Sequence, residues 1–544
     1  MTEKLTLRDN PTMRWVALLL LALAMFCSYI FMDILSPIKD LMQDTRGWDS
    51  ASFGRMQGAE VFLNVYVFFL IFAGIILDKM GVRFTAVLSG AVMLVGGLIK
   101  FYAVSEAFMG TSMEQWFNTH LNWNVNIPFI GDILPFADGM PGSAKLAAIG
   151  FMIFGSGCEM AGITVSRGIV KWFKGRETAL AMGSEMALAR LGVATCMIFS
   201  PFFAKLGGEI HVANSVKFGV VLLCIALIMF IVYFFMDKKL DAQTGEAEEK
   251  DDPFKLSDLG KIFSSLGFWL VALLCVLYYS AIFPFQKYAV NMLQCNLTLN
   301  PADLNTYWGG STESFPISVT IVQYIIMLIV AICSFASNFS KNKGMKFGLM
   351  AVAVVALVVY CYMGYMRGTA ETIFAVFPLL AVAITPILGN YVDHKGKAAT
   401  MLMLGSILLV VCHLTFAFIL PAFKGNAVGG TVIAYVTILV LGASFSLVPA
   451  ALWPSVPKLV DEKIIGSAYA AIFWIQNIGL GLFPTLIGNV LQNTNEAGTA
   501  AHELDYTWAL VMLAALGIAA LLISVYLKAV DKKKHFGLEE PNIK

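Results

Sequence analysis

Two residues of opposite charge lie deep within long apolar stretches of this sequence, where a charged side chain needs a counter-charge or a bound ligand. Glu159 in GSGCEMAG lies 11 residues from the predicted inner end of one helix, and Arg190 in EMALARLG lies 13 residues from the inner start of the next. At about 1.5 Å per residue, both lie roughly 16 to 20 Å deep, near the midplane of a bilayer. A single charge there costs about 2.5–3.5 kcal/mol, so both residues are candidates for a ligand site.

Separated charges of this kind match the two ends of a zwitterion. Glu159 offers a carboxylate to an ammonium group, and Arg190 offers a guanidinium that binds a carboxylate through two hydrogen bonds. The alternative is a buried structural ion pair between the two residues. Small residues around Glu159 favour the ligand site, because they predict free space beside the carboxylate: Gly155, Gly157, Ala161 and Gly162.

Other polar residues at membrane depth each have two interpretations. Glu185 lies five residues before Arg190 and either pairs with it, exchanging partners during movement, or merely offsets nearby positive charge. Asp33, one turn after Tyr29, either takes a proton or closes the cavity, unless it is solvated at the surface. His413 has a side chain suited to proton handling, but a lone helix histidine is more often a packing hydrogen-bond donor.

Lysine and cysteine placement predicts structural roles. Lys287, near the outer end of a predicted helix, is expected to snorkel to the membrane surface. Eight of the nine cysteines fall in apolar runs and only Cys295 is predicted to be exposed, so neither a disulfide framework nor a metal site is expected. No nucleophile–base pair or metal-ligand spacing indicates an enzyme, and no cofactor is predicted.

Composition excludes an ordinary soluble protein. The 544 residues are 58% hydrophobic and 13% charged, against about 25% charged in soluble domains. The formal net charge is +1, which does not indicate a nucleic-acid partner. A chain with so little charge must be covered largely by lipid, and the bilayer is its first predicted partner.

Hydropathy predicts an all-α polytopic membrane protein with about 14 transmembrane helices, six before a polar linker and eight after it. The first run begins at Trp15 without a small-residue cleavage site and is predicted to be a retained helix. The predicted runs are 15–42, 55–77, 84–106, 145–170, 177–205, 214–236, 266–293, 316–338, 345–365, 369–391, 398–421, 431–453, 465–490 and 506–529.

These runs divide the chain into two membrane halves. The predicted boundaries are an N-terminal six-helix bundle over 1–236 with an outer loop at 107–144, a linker at 237–265, a C-terminal bundle over 266–530 and a tail at 531–544. Lysines and arginines concentrate on one side of the predicted helices, which places both termini in the cytoplasm. The outer loop is expected to be a folded cap, a partner surface or an interfacial anchor.

One short motif occurs once in each half, directly after an apolar run. Each copy has Gly, then Asp four residues later, then Gly three residues later, then a basic residue: Gly74, Asp78, Gly81 and Arg83 in the first copy and Gly389, Asp393, Gly396 and Lys397 in the second. The glycines predict close helix approach, and the charges predict contacts at the cytoplasmic face. Any cytoplasmic turn could resemble one copy, but two copies indicate a duplicated transporter.

This motif and the plan of six helices, linker and six helices resemble the major facilitator superfamily. The resemblance implies two bundles that rock about a central site. The remaining two runs depart from that plan and predict an inserted two-helix hairpin at 316–365 in the C-terminal half.

A narrower set of residues resembles the major facilitator superfamily domain-containing protein one family, the lysosomal dipeptide uniporters. The matching residues are Tyr29 and Asp33, Glu159 with 172–177, 186–192, Tyr278-Tyr279, 283–285, 386–397, His413, 451–454, 466–469 and 475–480. The resemblance implies that Glu159 and Arg190 engage the amino and carboxyl termini of a dipeptide. It adds further candidate substrate-binding residues: Tyr29, Tyr279, Trp453, Gln476 and Asn477.

The predicted function is therefore alternating-access transport of dipeptides or similar small zwitterionic peptides, by uniport or with proton coupling through Asp33, Glu185 or His413. One alternative is an organic-anion or metabolite antiporter in which Arg190 alone carries specificity. Another is a non-transporting sensor or assembly protein that uses the outer loop and the hairpin. The family usually has a neutral amide where this chain has Glu185. The side-chain preference and energetic coupling of the family therefore do not transfer directly to this chain.

The predicted location is a plasma membrane, and a bacterial inner membrane is the simplest interpretation because the short N-terminus lacks an acidic dileucine signal. An accessory protein at the outer loop or the hairpin is a further candidate partner.

Overall fold

A computed structural model describes residues 6–123, 125–127, 131–174, 177–244, 256–299, 315–340, 342–460 and 465–541. Within these ranges, thirteen helical segments are long and apolar enough to cross a membrane. The only described strands are two residues long each and pair antiparallel, Asn126–Ile127 with Gly131–Asp132. The predicted all-α polytopic fold is confirmed.

The N-terminal half contains nine described α-helices, with short 3₁₀ turns at Leu7–Asp9, Ser36–Ile38 and Ala59–Val61. The helices are α1 Pro11–Met32, α2 Lys39–Arg46, α3 Ser50–Gly58, α4 Phe62–Tyr66, α5 Phe69–Val104, α6 Ser112–Thr119, α7 Gly142–Trp172, α8 Thr178–Ala204 and α9 Val212–Thr244.

The C-terminal half contains eleven described α-helices and a π-helical turn at Thr415–Ile419. The helices are α10 Leu256–Ser264, α11 Leu266–Asn296, α12 Phe315–Phe339, α13 Lys343–Arg367, α14 Ala370–Phe374, α15 Val376–Lys395, α16 Ala398–Leu414, α17 Leu420–Ala422, α18 Ala427–Leu459, α19 Ile465–Thr494 and α20 Thr507–Lys534.

The α5 helix includes a reversal of the chain, which accounts for the difference between thirteen apolar segments and the predicted fourteen passes. Gly81 has φ 79° and ψ 168°, so the helix breaks there. Glu60 before the break touches Gly155 of α7, and Lys100 after the break touches Gly150 of the same helix. Residues 60 and 100 therefore lie at similar depths along α7, on the two sides of the reversal. The segments before and after Gly81 are separate passes.

The C-terminal end of α9 extends beyond the predicted boundary at 236, to Thr244. The extra turns carry Asp237 and Asp241, and Lys171 binds both carboxylates at 2.6 and 2.7 Å. Asp237 also accepts a hydrogen bond from the indole of Trp172 at 2.8 Å. These contacts hold the polar end of α9 against α7, so this part of the predicted linker is helical.

The described part of the outer loop is folded onto the protein. The ammonium group of Lys145 donates to the carbonyls of Phe117 and His120 at 2.9 Å and to the side-chain oxygen of Asn122 at 2.7 Å. The backbone carbonyl of Asp132 accepts from Asn489 of the C-terminal half at 2.9 Å. The loop therefore reaches across to the other half.

The additional runs form two helices, α12 and α13, that pack against each other. Arg367 at the end of α13 donates to Gln323 of α12 at 2.6 Å and to Thr320 at 3.1 Å. Tyr324 of α12 packs on Phe199 of α8, with ring centroids 4.9 Å apart. These contacts fix the hairpin beside the junction of the two halves.

One predicted exposure is wrong: the side chain of Cys295 is buried at 2% exposure, whereas Cys224 is exposed. Cys295 lies on the last turn of α11, where its thiol contacts the carbonyl of Ala501 at 3.4 Å. Hydropathy placed this residue at a helix end but could not show the segment that covers it.

Candidate functional site

The two halves are joined by polar contacts on one side of the molecule. We call the side carrying residues 107–144 the loop face, and the side where the chain reverses at Gly81 and Gly396 the motif face. Most polar contacts that join the halves between described residues lie at the level of Glu159 or closer to the loop face, while the indole of Trp474 donates to the carbonyl of Val65 at 3.0 Å about one turn nearer the motif face. They include Asp33 with Lys287, Lys39 with Asn291, Asp40 with Gln294, Gln43 with Thr499 and Ser50 with Tyr288.

Glu159 projects from α7 into a cavity of about 100 Å³. Its carboxylate accepts a hydrogen bond from the side-chain amide of Asn477 on α19 at 3.4 Å. The residues lining this cavity all come from the N-terminal half: Met25, Tyr29, Met32, Glu60, Val61, Gly155, Cys158, Glu159 and Gly162. Tyr29, Glu159 and Asn477, three of the predicted substrate-binding residues, are thus in one place.

The prediction that the small residues around Glu159 leave free space is wrong for two of the glycines. A Cβ atom added to Gly155 would lie 1.9 Å from the backbone oxygen of Glu60, and one added to Gly157 would lie 2.7 Å from the backbone nitrogen of Met93. Both glycines instead allow neighbouring helices to approach α7. Of these three glycines, only Gly162 has no atom within 4 Å of an added Cβ, although the backbone of Gly155 also lines the cavity.

Arg190 on α8 is held by aromatic rings of the opposite half. Its guanidinium carbon lies 5.2 Å from the ring centre of Phe283 and 4.8 Å from that of Phe445. Within the described chain no ion pair joins it to Glu159 or Glu185, so the structural ion pair considered from the sequence is not formed. Cation–π contacts of this kind contribute about 0.5–2 kcal/mol and leave the hydrogen-bond donors of the guanidinium free.

An aromatic wall continues from Arg190 into the C-terminal half. Tyr279 stacks on Phe283 with ring centres 5.5 Å apart, and its hydroxyl accepts from the indole of Trp453 at 3.1 Å. Trp453 in turn stacks on Phe473 at 4.8 Å. Tyr279 and Trp453, both predicted to bind substrate, are therefore connected to Arg190 through ring contacts.

Gln476 lies on the same helix as Asn477 but has a different environment. Its side-chain oxygen accepts a contact from the thiol of Cys275 at 3.3 Å, and its side chain is buried. The two adjacent amides therefore face different neighbours, Asn477 toward Glu159 and Gln476 toward α11.

Lys287 does not snorkel to the surface, and this prediction is wrong. The lysine is buried at 7% exposure, with its ammonium nitrogen 2.8 Å from Asp33 and 3.7 Å from Glu60. Asp33 also accepts a hydrogen bond from Gln286 at 2.6 Å. Packing of α11 against the end of α1 encloses the lysine, which hydropathy of a single helix does not show.

Glu60 is the main residue that the sequence interpretation missed. It lies in the apolar run predicted at 55–77, and a lone carboxylate inside such a run is the signal that could have identified it. The 3₁₀ turn Ala59–Val61 interrupts the pass at this point, which lets Glu60 reach the cavity shared with Glu159.

His413 occupies a packing position in the C-terminal half. Its Nε2 atom donates to the carbonyl of Ala281 at 3.1 Å, and its ring packs against Phe285 with centroids 5.1 Å apart. Because a carbonyl oxygen only accepts, the contact assigns the proton to Nε2. This is the role of a packing hydrogen-bond donor that the sequence left open.

The first loop motif carries two ion pairs on the motif face. Asp78 pairs with Arg167 of α7 at 2.7 Å, and Arg83 pairs with Asp241 of α9 at 2.9 Å. The prediction of close helix approach at Gly74 is wrong, because a Cβ there would meet no atom within 4 Å. Gly81 is needed for the reversal, since its positive φ is unfavourable for other residues.

The second loop motif is contacted by the tail. Gly396 has φ +72°, and a Cβ there would lie 2.4 Å from the carbonyl oxygen of Glu539. The amide of Lys397 donates to that same carbonyl at 3.1 Å. The equivalent of the first position, Gly389, again faces open space, so close approach is wrong there too. Asp393 lies on the last turns of α15.

Comparisons with known proteins agree with this architecture. The model of the Major Facilitator Superfamily matches residues 21–377. The lysosomal dipeptide transporter MFSD1 of Danio rerio is 26% identical over 370 residues, covering 66% of this chain and 63% of the relative. The protein of the same name from Homo sapiens is 24% identical over 372 residues, covering 67% and 63%. The chain thus spans a little under two thirds of the length of these relatives, and the predicted resemblance is confirmed.

Solved structures show the same fold. The nucleoside transporter NupG aligns with a TM-score of 0.58 at 11% identity, covering 94% of this chain and 98% of NupG. A bacterial homologue of the human drug peptide transporters PepT1 and PepT2 aligns with a TM-score of 0.58 at 12% identity, covering 96% and 99%. At such low identity the likeness concerns the fold alone.

Proposed function

Because this chain belongs to the major facilitator superfamily, we propose that it is a secondary transporter of dipeptides or similar small zwitterionic peptides, working by alternating access. The curated relatives are transporters of this class by name. The separation of Glu159 from Arg190 is the observation that carries the proposal. Each charge faces the interior without a counter-charge bound directly to it among the described residues, and a zwitterion supplies both missing partners at once.

Glu159 is proposed to bind the ammonium group of the peptide. Its carboxylate has one long hydrogen bond, 3.4 Å from Asn477, and therefore keeps most of its acceptor capacity. Asn477 belongs to the C-terminal half, so an ammonium bound to Glu159 also contacts the surface across which the halves move.

Arg190 is proposed to bind the carboxylate of the peptide. Phe283 and Phe445 hold the guanidinium over their faces, which orients it while leaving its N–H groups available. Tyr279 and Trp453 extend this surface and would contact the peptide side chains. The aromatic wall favours apolar or aromatic side chains, since it offers few polar groups.

The proposed transport cycle includes the conformation described here, in which the two halves are in contact at the loop face. Polar contacts close the loop face, and the motif-face ion pairs between described residues lie within single halves. We therefore assign this arrangement to a state with its site accessible from the motif face. The motif face is proposed to be cytoplasmic, and the location in a plasma membrane remains a prediction.

An organic-anion antiporter is the second candidate. The observation that favours it is the guanidinium of Arg190, which lacks an anion within the described chain, whereas Glu159 has Asn477. In this alternative Arg190 alone carries specificity, and Glu159 need not bind the substrate.

Uptake by purified protein in proteoliposomes separates the two candidates. One set of vesicles is loaded with unlabelled dialanine and a second set with an unlabelled dicarboxylate, and entry of the same compound in radiolabelled form is measured in each set. The proposal predicts exchange of the dipeptide and no exchange of the dicarboxylate. Exchange of the dicarboxylate alone would replace the peptide proposal with the antiporter.

A further inference from the structure

Glu60 occupies the position between the proposed ammonium site and the ion pair that closes the loop face. It touches Gly155, one helical turn from Glu159 on α7 and on the loop-face side of it. Its carboxylate lines the same cavity as Glu159 and lies 3.7 Å from the ammonium group of Lys287. From the cavity toward the loop face, the charged groups therefore follow the order Glu159, Glu60, Lys287 and Asp33.

The charges in this region do not balance. Asp33, Glu60 and Glu159 supply three carboxylates, while Lys287 and Lys100 supply two ammonium groups close enough to Glu60 for direct electrostatic interaction. With all five groups ionised, one negative charge is left over. An uncompensated charge in a low-dielectric interior is costly, so the cluster favours either a proton on one carboxylate or one more cation.

The carboxylates of Glu60 and Glu159 are the groups of this cluster that can still accept hydrogen bonds from a further cation. Lys287 is committed to Asp33 at 2.8 Å, and Lys100 lies over the ring of Phe151 at 3.5 Å, which leaves it directed toward an aromatic face. Glu60 has only the long contact with Lys287, and its side chain keeps 14% of its surface exposed. A cation in the cavity can therefore reach Glu60 and Glu159 together.

We propose that Glu60 is a second carboxylate of the ammonium site and links its occupancy to the closure of the loop face. This inference rests on the proposed dipeptide function and adds a residue and a coupling to it. An ammonium group bound between Glu159 and Glu60 competes with Lys287 for the Glu60 carboxylate. Because Glu60 and Lys287 belong to different halves, this competition weakens one contact that holds the loop face closed.

The coupling follows from linkage between binding and conformation. A ligand shifts a conformational equilibrium only by the difference between its interactions in the two states. Here the bound ammonium is favoured where Lys287 has moved away from Glu60, that is, where the loop face is open. Binding therefore promotes opening of the loop face.

The test measures conformation and binding separately. Spin labels are placed at two exposed loop-face positions, 206 in the N-terminal half and 424 in the C-terminal half, with the nine native cysteines replaced and transport of this background verified. Electron–electron resonance distances between the labels are recorded with and without saturating dialanine. Peptide affinity is measured by titration calorimetry on the same proteins.

Three variants are compared with the parent protein. Glu60→Gln removes the charge and keeps the size, Glu60→Asp keeps the charge, and Glu106→Gln removes a carboxylate of the loop face that pairs within the N-terminal half, with Arg46. We expect dialanine to lengthen the loop-face distance in the parent and in Glu106→Gln. Glu60→Gln is expected to lose this lengthening and about tenfold in affinity, and Glu60→Asp to recover part of both.

Each outcome decides between the inference and the function on which it rests. A parent protein that neither binds nor responds to free-amine dipeptides overturns the proposed function and this inference with it. A parent response that Glu60→Gln retains in full, with unchanged affinity, overturns the inference alone. Loss of affinity without loss of the distance change assigns Glu60 to binding and overturns the coupling.

Discussion

The ammonium nitrogen of Lys287 lies 2.8 Å from a carboxylate oxygen of Asp33, and the two residues belong to different halves of the chain. Both are buried, and among the described residues the pair is shorter than the other ion pair between the halves, Lys287 with Glu60 at 3.7 Å. It joins the end of α1 to α11 on the loop face. Any movement that opens this face must separate the two groups or carry them into water.

Breaking this pair from one side should destabilise the protein more than removing it altogether. Asp33→Asn leaves the buried Lys287 with the longer contact to Glu60 and a hydrogen bond to the carbonyl of Met32 at 3.3 Å. Removing one partner of a buried ion pair in this way costs about 3–5 kcal/mol. The double variant Asp33→Asn with Lys287→Met should recover much of that loss. The thermal unfolding midpoint in detergent checks this double-mutant cycle. Equal midpoints for Asp33→Asn and the parent would contradict it.

Neutralising either of the two charged residues proposed to bind the peptide should abolish dipeptide uptake in a folded protein. Glu159→Gln removes the acceptor for the ammonium group, and Arg190→Ala removes the donor for the carboxylate. Uptake in proteoliposomes should fall at least a hundredfold, which corresponds to about 2.7 kcal/mol. Glu106→Gln is the matched control and should transport normally, since its carboxylate is 66% exposed on the loop face. Parent-level uptake by Glu159→Gln or Arg190→Ala would reject the site.

Blocking either end of the peptide should weaken competition. N-acetylation removes the ammonium group that Glu159 is proposed to bind, and C-amidation removes the carboxylate proposed for Arg190. Each blocked dialanine should inhibit uptake of the labelled dipeptide at least tenfold less well than the free peptide. If only C-amidation mattered, the antiporter alternative would gain support, because Arg190 would then act alone.

Adding a methyl group at Gly155 should displace Glu60. The Cβ of Gly155→Ala would lie 1.9 Å from the Glu60 backbone oxygen, and neither backbone can yield without moving a helix. Both the unfolding midpoint and peptide uptake should fall. Gly348→Ala is the control, because no atom lies within 4 Å of a Cβ on that α13 residue. A Gly155→Ala protein as stable as Gly348→Ala would show that the helices separate without cost.

Proton coupling can be tested at Glu185, where the sequence departs from its family. We expect uniport, because within the described chain Glu185 has no ion pair with Arg190 to exchange and His413 donates to a backbone carbonyl. An inward proton gradient should therefore leave the peptide at equilibrium, with no accumulation above it and no increase in the rate of uptake. Accumulation that disappears in Glu185→Gln would instead establish coupling through this carboxylate.

Membrane depth could be read from the sequence because it depends on position along one helix. An apolar run of about twenty residues is long enough to span the hydrocarbon core of a bilayer, so the position of a residue within the run gives its depth. Glu159 and Arg190 were selected in this way, and so were the two halves and the two loop motifs. The helix bounds differed at α9, where Lys171 binds acidic residues that hydropathy assigned to the linker.

The neighbours of a charge could not be read in the same way. Hydropathy gave Lys287 a position near a helix end, and the same rule would have predicted solvent around Asp33. Small residues near Glu159 indicated space, but at Gly155 and Gly157 that space is filled by other helices. A small residue leaves room either for a ligand or for a neighbouring helix. Only the observed packing of the helices shows which of the two occupies that room.

Hydropathy was enough to predict the membrane class, which is confirmed, and it also predicts two halves and the depth of the central charges, because all of these follow from hydrophobic transfer along single chain segments. Tertiary structure decided which groups face one another: Lys287 against Asp33, Glu60 beside Glu159, and Arg190 between two phenylalanine rings. These contacts join residues far apart in the chain. They depend on the rotation and packing of whole helices, which the energy of burying one helix in lipid leaves undetermined.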